Sequence, residues 1–142
     1  MKVYLASSFE LIKYVQDINH ALETHGHKVT VQWWHKDFKK AVQKPENEWY
    51  EDREVQEISR RNFSGIEEAD CLILVAHPTE PRKFNGANIE LGYALALKKP
   101  CLALGKLERS AMYVPVKRIT WSEFAFTFFG KRKKLAEVFF AT

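Results

Sequence analysis

The hydrophobic positions of this chain change period several times, and each change marks an element. Residues 2–6 (KVYLA) are a short apolar run rich in β-branched and aromatic side chains, which predicts a strand. Ser7-Ser8 close it, with Ser8 placed as a helix N-cap. Leu11, Ile12, Val15, Ile18 and Leu22 then recur at helical spacing up to Gly26, a residue suited to the position just past a helix end. Residues 28–34 (KVTVQWW) predict a second strand, and the polar, aromatic stretch from there through Pro45 to Trp49-Tyr50 reads as a loop.

The spacing of Val55, Ile58, Phe63 and Ile66 predicts a helix over about 51–68, with Ser64-Gly65 as a place where it could bend. Residues 71–76 (CLILVA) are apolar throughout, as expected of a central parallel strand covered on both faces. A loop punctuated by Pro78, Pro81, Asn85 and Gly86 leads into GANIELGYALAL, a helical segment that is apolar nearly all round except for Glu90. Lys98-Lys99-Pro100 ends that helix, with basic residues at its last turn and proline just beyond. A fourth strand is expected over 101–104, a short fifth near 117–120, and a final helix capped by Ser122.

Strand and helix alternate with short connections, so right-handed crossovers give a three-layer α/β/α sandwich on a mainly parallel five-stranded sheet. Ligands of such open sheets sit beyond the carboxyl ends of the strands. That edge collects Ser7-Ser8, Trp33-Trp34, the 77–88 loop and Glu90. With no internal repeat, low-complexity segment or linker, residues 1–142 read as one domain.

Composition narrows the class. A chain of 142 residues can bury a core without disulfides or metal, and 46% hydrophobic with 28% charged residues excludes disorder and collagen-like repeats. The net charge of +4 is mild, and its densest run, Lys131-Arg132-Lys133-Lys134, reads as a solvated helix face. No basic stripe interleaved with exposed aromatics accompanies it, so duplex nucleic acid is not an expected partner. No signal peptide precedes the first strand and no apolar run reaches membrane-spanning length, which points to a cytoplasmic protein without a membrane partner. Cys71 and Cys101 each begin an apolar strand. Buried thiols are the expected state, although their spacing leaves a cross-sheet disulfide open.

The chemistry gathers around Glu90. A carboxylate in the first turns of a helix is favoured in its ionised form by the helix dipole and points into the cleft, where it can serve as nucleophile or general base; an ordinary capping or ion-pairing role fits the same position. Asp70, between a helix and the third strand, is either a turn former binding nearby amides or a carboxylate orienting sugar hydroxyls or Glu90. Ser7 and Ser8 sit where hydroxyls and amides cradle a phosphate or sugar, with a simple N-cap as the alternative. Neither a Walker P-loop nor a glycine-rich dinucleotide fingerprint follows the first strand, which leaves a nucleoside or mononucleotide rather than ATP or NAD. Trp33 and Trp34 cannot both face inward on a strand of period two, so one of them is free to line the cleft and stack on a base. The five histidines show no metal-ligand spacing, and neither a metal nor a cofactor is implied.

Together KVYLASSF, IEEADCLILV and GANIELGYALALKKPCLALG resemble, in order and spacing over roughly two-thirds of the chain, the nucleoside 2-deoxyribosyltransferase family. Its superfamily includes the nucleoside 5′-monophosphate N-glycosidases. The resemblance implies a flavodoxin-like fold and cleavage of an N-glycosidic bond through a glutamate nucleophile: Glu90 attacks C1′, the base leaves, and another base or water resolves the glycosyl-enzyme. It further implies that Asp70 positions the reacting groups, that Tyr4 orients Glu90, and that Ser7, Ser8, Gly86 and Asn88 belong to the sugar or phosphate pocket; the aromatics Phe9 and Trp34 join them as candidate substrate-binding residues. Sites in the family are commonly completed by a neighbouring subunit, which implies a homodimer or higher homo-oligomer.

Two positions depart from the pattern. Transferases of the family often carry an aspartate about six residues before the nucleophile, where this chain has Phe84, and Asn88 stands where a small residue is common. Without that aspartate, base exchange needs another group to move protons to and from the base. Two functions of different classes therefore stand: an N-glycosidase or deoxyribosyltransferase, or a non-catalytic module binding a nucleotide-derived ligand in the same pocket.

Overall fold

The runs VYLA, CLILV and CLAL are apolar at every position, and strands with no polar face are stable only when covered on both sides. In the computed structural model, which describes residues 1–35, 43 and 45–129, they lie at the centre of one sheet. Its strands are β1 (Lys2–Ala6), β2 (Lys28–Val29), β3 (Cys71–Val75), β4 (Cys101–Leu104) and β5 (Lys117–Ile119). The order is β2-β1-β3-β4-β5 and every pairing is parallel, the flavodoxin-like α/β arrangement expected from the sequence. The basic run Lys131–Lys134 and residues 36–42 of the expected loop lie outside the described residues.

The helices are α1 (Ile12–Thr24), α2 (Glu46–Trp49), α3 (Arg53–Glu68), α4 (Gly86–Ala96) and α5 (Trp121–Phe129). α2 stands within the stretch read as a loop, and α3 runs unbroken through Ser64-Gly65. Tyr4 of β1 marks the face covered by α3 and α4, because its hydroxyl bonds Glu90 of α4 and its ring lies against Gly65 of α3. The other face carries α1 and α5, where Tyr14 packs on Trp121 with ring centroids 5.3 Å apart. No helix joins β4 to β5: a 3₁₀ turn at Ala111–Tyr113 makes that crossover.

Several local expectations change with the tertiary structure. β2 stops at Val29 because Trp33 turns back over β1, its indole N–H donating to the Leu5 carbonyl at 2.7 Å. The Ser8 side chain caps nothing; its backbone carbonyl accepts from Leu11 N–H and starts a 3₁₀ turn, Phe9–Leu11, ahead of α1. α5 is capped by Thr120 rather than Ser122, since Thr120 and Glu123 exchange side chain-to-backbone bonds at 2.7 and 3.1 Å, a capping box. The two cysteines are free, and the register that sets Cys101 beside Leu72 puts their side chains on opposite faces of the sheet, which rules out the cross-sheet disulfide. α4 is not buried all round: Ala87, Leu91 and Ala94 face the core, while Ile89 is 65% exposed.

α1 and α4 end in the same way, with the last carbonyls satisfied by the two amides that follow the C-cap. In α1, His27 N–H bonds Leu22 C=O and Gly26 N–H bonds Glu23 C=O; in α4, Lys99 N–H bonds Ala94 C=O and Lys98 N–H bonds Leu95 C=O. This Schellman geometry needs a left-handed residue, which is Gly26 (φ 84°) in the first case and Lys98 (φ 59°) in the second. Lys99 serves a different helix, its ammonium binding the Glu67 and Ala69 carbonyls at the end of α3 at 2.7 and 2.6 Å. A lysine in the left-handed region is strained where glycine is not. Lys98→Gly is therefore expected to stabilise the protein by about 1 kcal/mol, a rise of roughly 3 °C in Tm by calorimetry. An unchanged or lower Tm would show that Lys98 is held there by interactions worth as much as the strain.

Candidate active site

The doubly wound topology reverses between β1 and β3, and the crevice of the site opens at their carboxyl ends. β1 supplies Ser7, Ser8 and Phe9 to this edge; β3 supplies the 77–85 loop and the start of α4. Glu90 is the fifth residue of α4, so it stands in the second turn and not at the helix tip. Its Oε2 accepts a hydrogen bond from Tyr4 Oη, and the Tyr4 side chain is completely buried beneath it.

This location reverses the electrostatic expectation. Burial pushes the Glu90 carboxyl up from the ordinary 4.5 to about 7, and the Tyr4 hydrogen bond opposes that rise without overcoming it. Desolvation thus outweighs the dipole of a short helix one turn away from its tip. Burial, reinforced by the Glu90 charge, raises Tyr4 well above its ordinary value, so the phenol stays protonated and remains a donor. The arrangement is a half-buried carboxyl with one oxygen, Oε2, held by a phenol.

Asp70 does not join it. A residue preceding a parallel strand lies at the amino edge of the sheet, opposite the crevice, and Asp70 is exposed there with Oδ2 accepting from the Lys2 amide at 2.7 Å. Its own amide donates to the Lys2 carbonyl at 2.8 Å, so Asp70 aligns β1 with β3. The structure accordingly supports the turn-forming role and not a place beside Glu90.

The remaining pocket residues divide into free and committed groups. Ser7 Oγ donates to the Val75 carbonyl at 2.7 Å, bridging the ends of β1 and β3, which leaves that hydroxyl only acceptor capacity. Ser8 is the serine whose hydroxyl is not spent on the helix start. Asn88 is committed at both ends of its amide: Nδ2 donates to Phe84 C=O and Oδ1 accepts from Tyr113 Oη, each at 2.7 Å. Gly86 opens α4 at the surface with nothing near the place where a Cβ would be. Phe84 is in the core, 5% exposed, and anchors the loop from within.

The aromatics form a bracket beside the crevice. Trp33 is buried, with Phe9 and Trp34 edge-on to it at 5.6 Å each. Phe9 (37% exposed) and the half-buried Trp34 are the members that reach the surface; alternation leaves open which tryptophan turns outward, and the strand it assumes ends before either. Two further contacts carry no local signal in the sequence. Tyr113 is a lone aromatic in a connection without pattern, and Arg82 ties the 77–85 loop to Glu10 of the Phe9–Leu11 turn at 3.0 Å. Charge complementarity alone does not choose Glu10 among the acidic residues.

The fold and this edge define a class: doubly wound α/β proteins that seat a small ligand at the switch point, here with a carboxyl beneath it. Residues 3–133 match the family described as nucleoside 2-deoxyribosyltransferase, and the chain belongs to that family. Among solved structures it is similar to a 2-deoxyribosyltransferase from the psychrotolerant bacterium Bacillus psychrosaccharolyticus, with 19% identity, a TM-score of 0.67 and coverage of 97% of this chain and 96% of that one. It is also similar to the CMP N-glycosidase BcmB of Clostridium botulinum, with 19% identity, a TM-score of 0.56 and coverage of 85% and 89%. No curated protein matches the chain. Among the described residues no helix is long and apolar enough to cross a membrane.

The raised Glu90 value sets a pH dependence of stability. A carboxyl that holds its proton more tightly when folded makes the folded state lose ground as pH rises from 4.5 to about 7, and the deficit is complete above that. Glu90→Gln removes the titration while keeping shape. It is expected to melt above wild type at pH 8, by on the order of 5 °C, with the gap closing towards pH 4.5. A gap of equal size at both ends of the range would mean that Glu90 is not the titrating group.

Proposed function

We propose that this protein cleaves or transfers at the N-glycosidic bond of a nucleoside, deoxynucleoside or nucleoside 5′-monophosphate, with Glu90 as nucleophile. The observation that carries the reading is the Tyr4–Glu90 pair at the crevice of a chain in this family. Tyr4 fixes one carboxylate oxygen and leaves Oε1 to attack C1′. The new C1′–O bond forms as the C1′–N bond breaks, and the base departs with the bonding electrons and takes up a proton. Water or a second base then attacks C1′ and returns Glu90 as the carboxylate. In this reading Phe9 and Trp34, which pack edge-on against Trp33, flank the base, and the Ser8 hydroxyl, which makes no cap bond, meets the sugar or its phosphate.

The titration of Glu90 fits this role. A nucleophilic carboxylate is more reactive when partly desolvated, and the Tyr4 donor keeps the ionised form accessible near neutral pH. Phe84 in the core leaves the loop without the aspartate that transferases of the family often use to manage base protons. Resolution by water is the simpler outcome: the proton that water loses on forming the C1′–OH balances the one the departing base takes up, and no nucleobase has to be held and deprotonated for attack. The same feature, together with the removal of Asp70 from the site, favours the second reading, a non-catalytic pocket for a nucleotide-derived ligand.

Incubation with a panel of nucleosides and 5′-monophosphates, with and without a second free base, followed by chromatography of released base, separates the readings. Base release without an acceptor is expected, with a rate that climbs as pH rises through about 7, and with Glu90→Gln reduced to background in a folded protein. Exchange dependent on an added base would make it a transferase. Ligand-induced stabilisation with no bond cleavage would establish the binding module and end the covalent mechanism.

A further inference from the structure

Asn88 does not reach for a ligand: it is a bracket. It lies two residues before Glu90 in the first turn of α4, and its amide bonds two segments that are distant from each other in sequence, the 77–85 loop through Phe84 C=O and the β4–β5 connection through Tyr113 Oη. Both outer partners are fixed. Phe84 and Tyr113 are 5% and 7% exposed, and the 3₁₀ turn carrying Tyr113 is itself capped by Ser110, whose Oγ accepts from Met112 N–H at 3.2 Å. The β4–β5 connection is also a crossover without a helix, and the Tyr113–Asn88 bond links its 3₁₀ turn to the first turn of α4.

We propose that Tyr113 is a positioning residue for Glu90, acting through the Asn88 side chain to hold the first turn of α4 at the distance from β1 that the Tyr4–Glu90 bond requires. The proposal rests on the reading of Glu90 as nucleophile. Two phenols then set the carboxyl, Tyr4 from below by direct contact and Tyr113 from the side through the helix backbone. Asn88 is demanded by this geometry, since a small residue offers no amide to span Phe84 C=O and Tyr113 Oη, and an aspartate supplies no donor for the carbonyl. With Tyr113 absent, Asn88 keeps its bond to Phe84, and the turn is tethered on one side only. Misplacement of a reacting group by about an ångström costs on the order of 100-fold in rate.

The test compares wild type with Tyr113→Phe, Asn88→Ala and the double variant, with Tyr113→Phe retaining the buried ring. Two readouts are taken: steady-state kinetics on whichever panel member is cleaved, and the titration of Glu90 followed by carbon-13 NMR of the glutamate carboxyls. Tyr113→Phe is expected to lower kcat by roughly 10- to 100-fold with KM little changed. It should also move the Glu90 midpoint down from about 7, because water reaching a looser carboxyl relieves the burial that raises it, a larger effect than the weakened Tyr4 bond that lowers it. The double variant is expected to be no worse than Asn88→Ala alone, because both changes break one connection. Unchanged kcat, a change in KM alone, or additive losses would overturn the proposal. If no panel member is cleaved by wild type, the catalytic reading fails, and the NMR titration still decides the positional one: a Glu90 midpoint equal in wild type and Tyr113→Phe overturns it. Should Tyr113→Phe not fold, Asn88→Ala carries the same two readouts, and a wild-type midpoint and rate in that variant overturn the proposal equally.

Discussion

The hydrogen bond from Tyr4 to Glu90 is the constraint around which the site is arranged, and it depends on where the two residues fall in the fold. Tyr4 is the third residue of β1, an inner strand, fully buried, on the face that α3 and α4 cover. A phenol there needs an acceptor, because an unpaired hydroxyl in that interior would cost about 1–3 kcal/mol. Glu90 provides it from the second turn of α4. Packing brings α3 close enough for the purpose only because position 65 is glycine: a Cβ there would collide with the Val31 side chain, while Thr30 holds the Gly65 carbonyl at 2.9 Å. β1, α3 and α4 are thus fastened to each other at the level of the Tyr4 ring. The carboxyl sits at the top of that joint.

How much of this the sequence discloses depends on whether the deciding contact is local. β1, β3 and β4 are legible because runs such as CLILV can be satisfied only by burial on both faces, and the parallel layered arrangement follows from right-handed crossovers and alternating helices. The end of β2 is not legible, since the indole of Trp33 could bond many carbonyls and Leu5 is selected only once β1 lies beside it. The cap of α5 shifts by two residues, from Ser122 to Thr120, and the reach of Glu123 decides it. Asp70 is more instructive. Its place at the amino edge follows from the direction of a parallel strand, so topology already argued against a role beside Glu90.

Glu90 itself is identifiable as a lone carboxyl in an apolar helix, yet its charge state is not. The helix dipole is a local property and favours ionisation; burial under the joint with Tyr4 is a tertiary one and opposes it, and it is the stronger of the two here. Tyr113 is hidden for a different reason. Asn88 departs from the small residue common at its position, which signals that something differs there, but nothing in the pattern points 25 residues onward to its partner.

A carboxyl nucleophile faces two opposed requirements. It must be desolvated enough to attack carbon, and each increment of desolvation favours the protonated form that cannot attack. For Glu90 the two are set against each other by one donor and an incomplete burial: the Tyr4 hydroxyl stabilises the charged form, and the carboxyl stays half-buried. Adding a second buried carboxylate beside Glu90 would push its proton affinity higher still. With Asp70 turned to the far edge, and an apolar anchor at Phe84 securing the loop, the crevice keeps Glu90 within reach of ionisation at neutral pH. Phe84 where a carboxylate is common and Asp70 at the far edge are consistent with the raised carboxyl on one physical ground, because other buried negative charge nearby would hold a desolvated glutamate in its protonated form.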